Sequence, residues 1–185
     1  FVAVANGIPG LWIRQFDDGS ARPLTGTEGA SYPFWAPDGT AIGFFADGKL
    51  KRVDTAGGGL QILADVPGAR GGTWNQDGVI VFAPQQAGLM RIAATGGKPV
   101  ALTHLASGQG SHRWPQFLPD GRRFLFLSQL GQLDTHGVYL GSLEGGEPAR
   151  LLSGETAAVY TPPGYLLHVR QGALIAHQFD IERGV

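Results

Sequence analysis

A short motif returns four times along the chain and limits what it can fold into. Trp35-Ala36-Pro37-Asp38-Gly39 recurs as Trp74-Asn75-Gln76-Asp77-Gly78 and as Phe117-Leu118-Pro119-Asp120-Gly121, and a decayed copy stands at Tyr160-Thr161-Pro162-Pro163-Gly164. An aromatic side chain sits three residues ahead of the Asp, or of Pro163, each time, and the closing glycines are 39, 43 and 43 residues apart. A period near forty residues marks a repeat architecture, in which one unit cannot bury both of its faces alone. Proline fixes φ, aspartate can accept a hydrogen bond from the backbone two residues on, and glycine tolerates a left-handed backbone. Pro-Asp-Gly therefore predicts a tight hairpin turn.

The rest of each unit reads as strands. After the turn come alternating apolar pairs, Ile42 and Phe44, Ile80 and Phe82, Phe124 and Phe126, Leu167 and Val169, the period of a half-buried strand. A glycine then opens a third strand at Gly48, Gly88, Gly137 and Gly172, and glycine pairs at 57–58, 96–97 and 145–146 lead to a fourth. The N-terminal stretch fits the same register, with Leu11-Trp12-Ile13-Arg14 as a third strand, Asp18-Gly19 as its turn and Pro23-Leu24-Thr25 as a fourth. No apolar stripe of helical period survives beyond one turn, so negligible helix is expected. Four strands per forty residues predicts an all-β fold, a β-propeller of four-stranded antiparallel blades. Three strands in the first unit, three full units and three strands in the last make eighteen, or about four and a half blades in one domain. The approximate units are 1–27, 28–66, 67–105, 106–154 and 155–185. Trp35, Trp74 and Phe117 are expected to be buried between neighbouring blades.

Composition narrows the partners. Thirty Gly and twelve Pro among 185 residues suit many tight turns. A net charge of −1 gives no electrostatic reason to expect nucleic acid, and no segment is long and apolar enough to insert in a membrane. With no cysteine, disulfides and thiol chemistry are excluded and the compartment is left open. The chain starts at Phe1 without a Met, and both ends are expected to be cuts in a longer protein. Terminal units short of a strand leave unpaired edges and an uncovered apolar face, which predicts self-association.

Taken with the Trp/Phe-x-Pro-Asp-Gly units, the chain resembles the TolB-like propellers over essentially all its length. It also looks like the propellers that follow the kinase domain in bacterial Ser/Thr protein kinases. The stretches that carry this are Glu28 to Trp35, Ile42 to Leu50, Ser111-His112-Arg113-Trp114-Pro115 and Val159 to Leu167. The resemblance implies a ring of six or more blades in the parent protein and an extracytoplasmic, periplasmic setting. No phosphate loop with a strand lysine, no His-Arg-Asp and no Asp-Phe-Gly is present, so phosphorylation by this segment is excluded.

Several residue groups bear on possible chemistry. His104, His112, His136, His168 and His177 lie on different strands and loops of the register, without metal-ligand spacing; they predict scattered histidines and no metal or other cofactor. Ser107-Gly108-Gln109-Gly110-Ser111 lacks the nucleophile elbow of a hydrolase and reads as a loop. Gly57-Gly58-Gly59 has no phosphate-loop spacing, and Asp17-Asp18-Gly19-Ser20 lacks the twelfth-position Glu of a calcium loop. The strongest set lies just before each inner strand, where a propeller aims residues at its central channel. Glu28, Ser31, Tyr32, Arg70, Gly71, His112, Arg113 and Tyr160 stand there, and Glu28, Tyr32, Arg70, His112, Arg113 and Tyr160 are the candidate ligand-binding residues.

These features predict a non-catalytic binding or sensory module, a fragment of a receptor-like kinase that takes a protein, peptide or small-molecule ligand. The alternative is a propeller enzyme or enzyme cap. That would be a metal-assisted polysaccharide lyase, or the gate that a related propeller forms over a prolyl oligopeptidase-type peptidase.

Overall fold

In the computed structural model, which describes residues 1–17 and 19–185, the chain forms five antiparallel sheets in sequence order. Asp18, assigned above to a turn and weighed as part of a calcium loop, lies outside the described residues. The first sheet holds β1 (Val2–Ala5), β2 (Ile8–Arg14) and β3 (Ala21–Pro23). The second holds β4 (Ser31–Trp35), β5 (Ala41–Ala46), β6 (Lys49–Asp54) and β7 (Gln61–Asp65). The third holds β8 (Gly72–Trp74), β9 (Val79–Phe82), β10 (Met90–Ala93) and β11 (Val100–Ala101). The fourth holds β12 (Gln109–Phe117), β13 (Arg123–Gly131), β14 (Gly137–Ser142) and β15 (Ala149–Ser153). The last holds β16 (Val159–Thr161), β17 (Tyr165–Arg170) and β18 (Ala173–Gln178). Among the described residues eighteen strands form, but they make five blades of three or four strands rather than four and a half. Among the described residues the one helical element is a 3-10 turn at Leu133–Thr135.

The Pro-Asp-Gly turns join the first and second strands of successive sheets. The amides of Gly39, Gly78, Gly121 and Gly164 donate to the carbonyls of Ala36, Asn75, Leu118 and Thr161 at 2.9–3.2 Å. Asp38 accepts from the Thr40 amide and hydroxyl, and Asp120 from the amides of Arg122 and Arg123. These bonds to the ionised carboxyls lower the pKa of both aspartates, against the cost of desolvation. Asp77 is exposed, and its turn is held instead by Asn75. That side chain accepts from the Val79 amide at 2.8 Å and donates to the Gly121 carbonyl of the next sheet at 2.8 Å.

Alternation along the second strand of each blade builds the core. Ile42, Phe44 and Ala46 of β5 face the first sheet, packing on Leu11, Leu24 and Ala30. Ile80 and Phe82 of β9 face the second sheet, and Val81 and Ala83, one residue out of phase, face Phe124 and Phe126 of the fourth. Leu125 faces Leu166 of the last sheet. The last sheet departs from the sequence register, because Leu166 and His168 are buried there while Leu167 and Val169 face outward. Each sheet thus spends both faces on its neighbours, except at the two ends. There Val4, Ile8, Val169 and Leu174 stay exposed, since only one neighbouring sheet covers each terminal blade.

The aromatic of each turn motif is less uniform than expected. Trp74 and Phe117 are part-buried against the cores between their sheets, but Trp35 is 53 % exposed. The physical reason is local. β8 packs between β4 and β12, so Trp74 has an inner strand on either side, whereas the three-stranded first sheet offers no such strand to β4. The wedge between the second and third sheets is Phe34, whose ring lies where side chains on Gly43 and Gly72 would collide with it.

A buried polar chain ties the third sheet to the fourth. The Thr103 hydroxyl accepts from the Leu89 amide at 2.8 Å and donates to His112 Nδ1 at 2.8 Å. His112 Nε2–H then donates to Gln109 Oε1 at 3.0 Å, and its ring lies 4.5 Å from that of Phe126. Gln109 Oε1, which also accepts from the Ala106 amide, can only accept, so the neutral ring carries its proton on Nε2 and Nδ1 is left to accept from the Thr103 hydroxyl. Burial lowers the His112 pKa from 6.5 to about 4.

Phe34→Ala, at the buried ring of the wedge, is expected to cost about 3–5 kcal/mol in urea unfolding, and Trp35→Ala about 1 kcal/mol or less. Equal losses would contradict this assignment of the wedge. For His112 the folded pKa lies below the unfolded one, so its contribution is present above pH 6.5 and lost as pH falls toward about 4. The loss should approach about 3 kcal/mol over that window. In His112→Asn the unfolding free energy should be lower at neutral pH and change less with pH across the same window.

Candidate functional site

Three successive inner strands share an unusual backbone. Tyr32, Gly71 and Trp114 each stand three residues ahead of the motif aromatic, and their φ values are +47°, +99° and +48°. The ladder slips at this point, between Ser31 and Phe34 and again between Arg113 and Gln116. A bulky L-residue in the left-handed region is a marked outlier and costs about 1–2 kcal/mol. Tyr32 and Trp114 both accept it. The left-handed residue thus recurs at equivalent places on three neighbouring sheets.

The residue just before this bulge is Ser31, Arg70 or Arg113 in the second, third and fourth sheets. The Trp114 amide donates to the Arg70 carbonyl at 2.9 Å, and the Trp114 backbone lies directly over Gly71, so the bulges of the third and fourth sheets touch. Arg113 Nε donates to Ser111 Oγ and Nη1 to Gln129 Oε1, each at 3.2 Å. Arg70 donates to the carbonyl of Ala69 at 2.8 Å. Among the described residues neither guanidinium forms an ion pair with a carboxylate. The Arg113 pKa is lowered, by desolvation first and then by the Arg70 charge, while the Tyr32 phenol acts the other way. The Trp114 amide thus ties the strand that carries Arg113 to Arg70, and exposed Tyr32 stands at the equivalent bulge of the second sheet.

The other candidates stand elsewhere. Glu28 is exposed in the connection from the first sheet to the second. Tyr160 packs edge-on against Phe179, in the core between the last two sheets. His112 is buried, with both ring nitrogens engaged in the chain described above, and borders a groove of about 560 Å³ between the third and fourth sheets. Thr103, Gln109, Phe126, Tyr139 and Pro148 also line the groove. Ser107, in the loop weighed above for nucleophile chemistry, is exposed at its rim.

The histidines are not all scattered. His104 is exposed, and His136 is buried with neither ring nitrogen bonded among the described residues. His168 and His177, however, bring their Nε2 atoms to 3.0 Å from each other. Sequence spacing concealed this pair, because it depends on which residues of two adjacent strands lie diagonally opposite.

No family model matches the chain. A search of curated proteins finds the uncharacterized peptidase YuxL of Bacillus subtilis, 29 % identical over 136 residues, which are 70 % of this chain and 20 % of that protein. The chain therefore spans about a fifth of this relative's length. Among solved structures, a chain of the nidogen/laminin complex superposes with a TM-score of 0.74 at 13 % identity, over 92 % of this chain and 68 % of the other. TolB from Acinetobacter baumannii gives 0.70 at 14 %, over 96 % and 48 %. The Pyrococcus horikoshii acylaminoacyl peptidase gives 0.59 at 15 %, over 94 % and 32 %. At such identities these likenesses establish the fold alone. The kinase resemblance finds no support among them. The expectation of a non-enzymatic protein is also corrected, since the curated relative is named a peptidase and an acylaminoacyl peptidase shares the fold across nearly the whole chain. The fold is a β-propeller, shared with TolB, with a chain of the nidogen/laminin complex and with an acylaminoacyl peptidase.

Proposed function

We propose that this chain is the propeller part of a peptidase, which admits peptides to a hydrolase domain carried elsewhere in the same polypeptide. The observation that carries this reading is the 29 % identity to a relative named as a peptidase. The fold it shares with an acylaminoacyl peptidase adds support. A propeller in that position selects substrates by what its axial opening accepts. Tyr32, Arg70 and Arg113 form the selecting group: two guanidiniums without carboxylate partners attract a peptide carboxylate, and the phenol adds a hydrogen-bonding edge. Guanidinium suits this role because its planar donors match a carboxylate in a bidentate fashion. Substrates bearing an acidic group near the scissile bond are favoured on this reading.

The complete polypeptide that contains this chain should hydrolyse peptide p-nitroanilides. Arg113→Ala should raise KM for acidic peptides by about tenfold while leaving kcat nearly unchanged, the sign of lost uniform binding. Absence of peptide hydrolysis would overturn the peptidase reading. Hydrolysis with the same KM in Arg113→Ala and Tyr32→Ala would overturn only the role given to the cluster.

A further inference from the structure

Two histidines far in sequence from the arginine cluster meet in a geometry suited to a metal ion. His168 lies in β17 and His177 in β18, which pair antiparallel. In that ladder His177 is opposite Leu166 and His168 is opposite Ile175. Both imidazoles therefore stand on one face, on a diagonal of the kind that long side chains bridge. Their rings are 5.0 Å apart and within 26° of parallel, and the Nε2 atoms are separated by 3.0 Å. At that distance one Nε2–H donates to the lone pair of the other.

That separation is close to what a shared ion requires. Two imidazole nitrogens at about 2.0–2.1 Å from a tetrahedral Zn2+ are about 3.3 Å apart, so the pair has to open by only about 0.3 Å. His177 is exposed and can make that adjustment, whereas His168 is buried. Among the described residues no third His, Cys, Asp or Glu completes a group, which leaves the remaining coordination positions to solvent or to an added ligand. A small cavity of about 230 Å³ borders His168 and is also lined by Glu155 and Thr156. His112 makes the contrast plain: both of its nitrogens are engaged inside the protein, and no rotation frees them without breaking the chain to Thr103 and Gln109.

We propose that His168 and His177 form a two-histidine chelate for a borderline transition-metal dication, the class that imidazole ligands suit, such as Zn2+, Ni2+ or Cu2+. The site lies on the last sheet, so it is independent of the peptidase reading and needs no peptide to be present. The experiment is a Zn2+ titration of the 185-residue chain near neutral pH, followed by calorimetry and by the imidazole carbon-bound proton signals. The expected result is saturable binding of one ion per chain, with the His168 and His177 signals shifting and the His112 signal unmoved. His177→Gln, at an exposed position that leaves the core intact, should weaken binding at least about tenfold, the loss that even an outer-shell change gives. His104→Ala should bind as the parent does. No saturable binding by the unsubstituted chain, or unchanged binding in His177→Gln, would overturn the proposal. The imidazole signals of the unsubstituted chain decide the matter even if a variant fails to fold.

Discussion

The whole molecule depends on sheets packing face to face, each one covering its neighbour. A four-stranded sheet has two apolar faces and cannot bury both alone. Here the second strand of each blade solves the problem by alternation, with Phe82 turned toward one neighbour and Val81 toward the other. Four clusters fill the four gaps between five sheets. Where aromatic bulk is needed in a gap, glycine makes room: Phe34 occupies space that side chains on Gly43 and Gly72 would take. Close packing of this kind fixes how successive sheets sit, and so fixes which loops come together.

That placement is what gives the inner strands their chemical interest. The residues ahead of each left-handed bulge would be unrelated on isolated hairpins. Stacked sheets bring them side by side, and the Trp114 amide bonds directly to the Arg70 carbonyl. Two cations then share one neighbourhood, without carboxylate partners among the described residues, where the Arg113 charge is disfavoured by desolvation and by Arg70. The role proposed for this group rests on that arrangement.

Histidine shows how differently one residue type can be used in a single fold. His112 is a neutral structural link, locked between a hydroxyl and an amide oxygen. His168 and His177 face each other across a ladder with one shared proton between them. Desolvation and then the neighbouring His177 and Arg170 charges lower the His168 pKa. The difference lies in what surrounds each ring, since the imidazoles themselves are the same.

The all-β fold, the eighteen strands and the turns at Gly39, Gly78, Gly121 and Gly164 were legible in the sequence alone. They follow from local chemistry: backbone preferences of Pro, Asp and Gly, and an alternation of apolar residues with period two. Only the tertiary structure decided how those strands divide into five blades, that Asn75 rather than Asp77 holds its turn, and that Phe34 rather than Trp35 fills its gap. It also decided that Leu166 rather than Leu167 turns inward, a shift of one residue that carries His168 to the buried face. Of the six candidate ligand residues, Tyr32, Arg70 and Arg113 stand at the bulges of three neighbouring sheets, while Glu28, His112 and Tyr160 are placed elsewhere. The physical reason is common to all of these. Whether a side chain is buried, and what it meets, depends on the neighbouring sheet, and the sheet that lies opposite is set by packing between segments some forty residues apart.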